Sequence, residues 1–130
     1  MRSVPIMLLA ALLAGCLAPD APATGTGRLE VRAVAGPVCP VETQPPDPGC
    51  APRPVAGATV LLSPADGREV LLGRGVTDAR GVVTFDIAAG DYLVTGMPVR
   101  GLMGGQVEAP ATVVAGRTAS VLLEYDTGIR

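Results

Sequence analysis

A chain of 130 residues has room for one domain, and this one sets twelve acidic residues against ten arginines, with no lysine, histidine or tryptophan. Lacking histidine, it lacks the side chain that most readily moves protons near neutral pH. A formal charge of −2 offers no basic surface to hold a phosphate backbone, so nucleic acid is excluded as a partner.

Residues 1–15 read as an export leader. Arg2 supplies a short positive region, and Ile6 to Leu13 supply an apolar stretch too short to span a bilayer, which takes about 20 residues. Leu13-Ala14-Gly15-Cys16 resembles a bacterial lipobox, with small residues before a cysteine whose thiol accepts a diacylglyceryl group. The resemblance implies lipidation at Cys16 and a membrane partner reached through that lipid, on the periplasmic or extracellular side. Residues 16–26 are a Pro/Gly/Ala/Thr tether, too poor in large apolar groups to pack. The domain proper is expected over 27–130.

With Cys16 assigned to lipid, Cys39 and Cys50 remain as a pair, and an oxidising compartment makes a disulfide their default. The intervening loop is rich in proline, and closing it is worth about 3 kcal/mol in the chain-entropy model. Two thiolates without histidine fall short of a tetrahedral zinc set.

From Gly27 onward the period is that of strands with one buried face, and glycine or proline interrupts every few residues. Leu29, Val31 and Ala33 alternate with charged residues in a first strand. Ala58–Ser63 is a second, followed by the turn Pro64–Gly67. Strands are then predicted over Glu69–Leu72 and Gly75–Thr77, a turn at Asp78–Gly81, and a strand over Val82–Ile87. A turn at Ala88–Asp91 leads into Tyr92–Thr95. Beyond a loose stretch (Gly96–Gly105) come Gln106–Glu108, Ala111–Val114 and Thr118–Tyr125. About seven short strands predict a single antiparallel β-sandwich, and the absence of long helices argues against parallel crossovers.

Three segments in the middle of the domain form a pattern: Pro54–Val60, Thr77–Phe85 with its Thr-Asp-x-x-Gly turn, and Ala89–Val94 with Gly90-x-Tyr92. In order and spacing they resemble the carboxypeptidase regulatory-like domains. That resemblance implies a transthyretin-like (prealbumin-like) sandwich serving as a non-catalytic appendage for contact or structural support. It also implies roles for individual residues. Asp78 accepts hydrogen bonds from the amides of its own turn, and Gly81 takes a positive φ. Phe85 fills the core, Gly90 serves the second turn, and Tyr92 buries its ring while returning its hydroxyl to backbone. Ala88-Ala89 and Val83 depart from the family pattern, as does the cysteine-closed insertion.

The remaining chemistry is sparse. Asp126-Thr127-Gly128 matches the aspartic protease triplet in letters, but there is no second copy to share its proton, so it reads as a C-terminal turn. Ser63 and Ser120 have neither histidine nor lysine as a base. Asp78 with Asp86 or Asp91 would be a carboxylate pair for glycoside hydrolysis, yet only Phe85, Tyr92 and Tyr125 are aromatic, too few for a sugar platform. Asp66, Asp78 and Asp91 each sit at a turn and are not gathered in one loop as calcium requires. The expectation is a non-enzymatic envelope module without metal or cofactor, making contact with an envelope or surface protein. The alternative is a lipoprotein that binds a small ligand or carbohydrate.

Overall fold

The computed structural model describes residues 24–130; the leader, Cys16 and most of the tether lie outside the described residues. Eight strands are formed: β1 (Thr26–Gly36), β2 (Arg53–Pro54), β3 (Thr59–Pro64), β4 (Gly73–Val76), β5 (Val82–Ala88), β6 (Gly90–Gly96), β7 (Val107–Val113) and β8 (Thr118–Asp126). They make a β-sandwich of two sheets. In one, β1 lies between β8 and the pair β2 and β5; the other has the order β4-β3-β6-β7.

The period-two pattern decides which residues meet between the sheets. Leu29, Val31, Ala33 and Ala35 of β1 point inward, opposite Val60 and Leu62 of β3 and Val94 of β6. Leu123 and Tyr125 of β8 close the same core. Leu29, Val31, Val60, Leu62 and Val94 are completely buried. With each such side chain contributing roughly 1.5–3 kcal/mol, this apolar contact is the main term holding the sheets together.

One pair departs from the antiparallel expectation. β1 and β8 run parallel, in register from Arg28 opposite Thr118 to Gly36 opposite Asp126. No helical crossover is needed, because the connection between them is the rest of the domain, which builds the second sheet on the way.

Three local differences from the predicted strands have physical causes. Val70, Leu71 and Leu72 are not in a strand and are half exposed; the chain enters β4 only at Gly73. Gly73 and Gly75 occupy the inward positions of β4. A Cβ on Gly75 would come within 2.6 Å of Val83 and 3.3 Å of the Phe85 ring. Phe85 is therefore partly buried at the margin of the core, seated over two glycines, instead of filling its centre. The two segments expected on either side of Pro110 join in β7. As an edge strand, β7 tolerates a residue without an amide hydrogen.

The sandwich has two ends. At one, Gly25 enters beside the β3–β4 loop, the β5–β6 turn and the β7–β8 turn: Ala89 N donates to Gly25 O (2.9 Å), Gly116 N to Thr26 O (2.9 Å), and Ala65 N to Asp91 O (3.1 Å). The other end gathers the Cys39–Cys50 loop, the β4–β5 turn, the β6–β7 loop and the C-terminus.

Candidate functional site

The motif segments converge on one buried junction. Thr77 follows β4 directly and is 4% exposed. Its hydroxyl donates to Val55 O (2.6 Å) and accepts from Ala58 N (2.9 Å). Backbone pairs complete the junction, with Gly57 N donating to Thr77 O and Thr77 N to Ala58 O, both at 2.9 Å. Val55 N in turn donates to Ala33 O (2.9 Å), and Ala33 N to Gly81 O (2.7 Å). Thus Thr77 and Gly81 tie the segment leading into β3 to the centre of β1. The sequence pattern contains Thr77 but implies roles for Asp78 and Gly81 alone. The clue lay in a threonine between a short strand and an Asp-x-x-Gly turn, placed to satisfy buried backbone on two sides.

Asp78 performs the turn role its position implies. Its Oδ1 accepts from Arg80 N (2.8 Å) and Val82 N (3.0 Å), and Gly81 N donates to Asp78 O (2.9 Å). The Val82 and Arg80 amides hold the Asp78 carboxyl below the ordinary aspartate range. Because the folded value is depressed, its stabilisation is present above the unfolded pKa near 3.8 and is lost as pH falls through the folded value. Asp78→Asn should flatten the acid limb of a melting curve measured from pH 6 to 2. The difference from the parent should be largest above pH 4 and shrink on acidification; equal acid slopes would count against the assignment.

At the opposite end Tyr92 is 9% exposed and donates its hydroxyl to Ala88 O (2.5 Å), closing the β5–β6 turn. Gly90 opens β6 opposite Val113, and a Cβ there would meet the Tyr92 ring at ordinary contact distance. Asp91 accepts from Thr112 Oγ1 (2.7 Å). Asp78 and Asp91 thus lie at opposite ends of the sandwich and form no carboxylate pair.

The C-terminal triplet is a turn. Asp126 Oδ1 accepts from Gly128 N (2.7 Å), and the Asp126 carboxylate pairs with the Arg130 guanidinium (3.0 Å). Arg130 first, then the Gly128 amide, holds the Asp126 carboxyl below its ordinary range. Thr127 donates its hydroxyl to Pro37 O and its amide to Gly36 O (3.1 Å), fastening the tail to the end of β1. Tyr125 lies buried with its hydroxyl on Met97 O (2.8 Å), and burial pushes its pKa up.

Cys39 and Cys50 are joined in a disulfide with their Cα atoms 5.3 Å apart. The loop they close carries a short 3-10 turn at Pro48–Cys50, capped by Asp47 through Gly49 N (2.8 Å). On its surface is an open hollow of about 380 Å³ lined by Glu42, Gln44, Pro46, Asp47 and Pro52. Among the described residues no three acids or cysteines cluster as a metal set, and no helix is long and apolar enough to cross a membrane.

No family model and no curated protein matches the sequence. Solved structures do match in fold. GBS52, the minor pilin of Streptococcus agalactiae, aligns over 79% of this chain and 45% of its own length, at 21% identity and a TM-score of 0.60. The shaft pilin SpaA of Lactobacillus rhamnosus GG aligns over 77% of this chain and 49% of its own, at 12% identity and a TM-score of 0.54. A candidate carbohydrate-binding protein of Pseudomonas aeruginosa aligns over 82% of this chain and 98% of its own, at 18% identity and a TM-score of 0.52. This chain spans under half the length of either pilin. At these identities the likeness shows the fold alone, a β-sandwich.

Proposed function

We propose that the protein is a non-catalytic contact module of the cell envelope, exported by residues 1–15, acylated at Cys16, spaced by residues 16–26 and folded over 27–130. One observation carries the reading: the polar side chains at the motif turns and at the C-terminal triplet are engaged in holding backbone. Thr77, Asp78, Tyr92 and Asp126 each satisfy amides or carbonyls of their own turns and junctions. A sandwich held in this way presents surface, and two solved structures that share its fold are by name a minor pilin and a shaft pilin. The motif segments also support a kinship with the carboxypeptidase regulatory-like domains, whose pattern the Thr77–Gly81 junction explains physically. The Cys39–Cys50 bond fits an oxidising compartment outside the cytoplasm.

Fractionation tests the anchor. The parent protein should sediment with membranes and Cys16→Ala should move to the soluble fraction; an unchanged distribution would remove the lipid from the reading. A second reading, carbohydrate binding, is favoured by the hollow in the disulfide loop, where carboxylates and proline rings adjoin. Saturation-transfer NMR against neutral oligosaccharides separates the two: the contact module gives no signal, and a sugar site gives signal that Glu42→Ala abolishes.

A further inference from the structure

We infer that the end of the sandwich at which Gly25 enters rests on the bilayer, with the exposed apolar residues Val70–Leu72 of the β3–β4 loop set against the lipid surface. The inference rests on acylation at Cys16. Seven residues lie between Cys16 and Thr24, so a lipid-held Cys16 keeps this end within about 30 Å of the membrane even with the tether fully extended. The hydrogen bonds to Gly25 and Thr26 fix which loops share that end: the β5–β6 turn, the β7–β8 turn and, through Ala65 and Asp91, the β3–β4 loop.

Those loops carry apolar side chains that the fold leaves outside. Val70, Leu71 and Leu72 follow one another at 51%, 58% and 51% exposure, and Val114 in the β7–β8 turn is 48% exposed. Three consecutive exposed branched residues are not a by-product of strand alternation, which would turn at least one of them inward. The loop is also fastened to its sheet. Ser63 donates its hydroxyl to Arg68 O (3.4 Å), and the Arg68 guanidinium reaches Glu108 on β7 (3.0 Å). With Leu72 N donating to Leu62 O (2.8 Å), these bonds lay the loop back along its sheet and leave the side chains of Val70–Leu72 outside.

The charge of the loop selects among surfaces. Asp66 and Glu69 flank Arg68, whose charge is already met by Glu108, so the loop has no cationic face for anionic headgroups. What it fits is the acyl–headgroup boundary, as a second and apolar membrane signal beside the lipid.

The test uses acylated full-length protein reconstituted in phosphatidylcholine vesicles, with an environment-sensitive fluorophore on Leu71→Cys. A second variant carries the label on Ala79→Cys, in the exposed turn at the far end. Label at residue 71 should shift to the blue and lose about half its emission or more when spin-labelled phosphatidylcholine is included, while label at 79 stays unchanged. Vesicle-bound protein with label at 71 still in water overturns the inference and leaves the anchor standing. Protein that does not float with the vesicles removes anchor and inference together. Equal quenching at both positions indicates indiscriminate adsorption and also overturns it. A blue shift at 71 that occurs in native envelopes but not in pure lipid assigns the loop to a protein and overturns the lipid assignment.

Discussion

Gly81→Ala should lower the unfolding free energy by about 3 kcal/mol, well beyond what a glycine-to-alanine change costs where the site is merely left-handed. Gly81 has φ +75°, and a Cβ there would stand 2.5 Å from Ala33 O and 3.0 Å from Val55 N. The first of these atoms accepts the Val55 amide, and the carbonyl of Gly81 accepts the Ala33 amide. The methyl group therefore enters between two backbone segments that are hydrogen-bonded to each other, and neither is the flexible end of a side chain. Gly116 is the built-in control: its φ is +73°, yet nothing lies within 4 Å of its would-be Cβ. Gly116→Ala should cost only the left-handed penalty of about 1–2 kcal/mol. Urea unfolding of both variants checks the comparison; equal losses would mean that the junction relaxes around the added methyl.

The contrast between those two glycines also shows how far the sequence could be read. Asp-x-x-Gly marked both the turn and the residue with positive φ, because the turn is local and its chemistry is written in four consecutive letters. Alternation likewise placed Leu29, Val31 and Ala33 in the core, since a period of two has only one inward face. What remained hidden depends on partners distant in the chain. Gly73 falls between two predicted strands and Gly75 opens the second, and neither shows its role until Phe85 is seen to sit over them. Val70–Leu72 look like a strand by their apolar branched side chains, and only the pairing of Leu62 with Gly73 shows that the strand starts after them. The parallel neighbours β1 and β8 were out of reach for the same reason: nothing local distinguishes a parallel edge from an antiparallel one when the connection is the whole domain. Cys39 and Cys50 could be paired by counting, whereas the hollow in their loop depends on the path of five prolines between Gly36 and Pro52 and could not be read from composition.

Thr77 was the least visible of the structural residues, and its replacement should be among the most costly. In Thr77→Val the shape is kept, but Ala58 N loses its acceptor and Val55 O its hydroxyl donor, at a place where Ala58 is fully buried and Val55 nearly so. An unsatisfied buried group costs about 1–3 kcal/mol, so the pair should cost about 3 kcal/mol together. Thr77→Ser keeps the hydroxyl and loses one methyl, for about 1 kcal/mol. If serine and valine destabilise equally in urea unfolding, the position matters for packing and the hydroxyl bridge is not the cause. The double variant Thr77→Val, Gly81→Ala adds a sharper criterion. Both single changes release the same Val55 segment from its neighbours, one through its carbonyl and the other through its amide. Once either has let it go, the second has less to disturb, so the combined loss should fall short of the sum by 0.5 kcal/mol or more. Strict additivity would show that the Thr77 bridge and the Gly81 turn hold the sandwich independently.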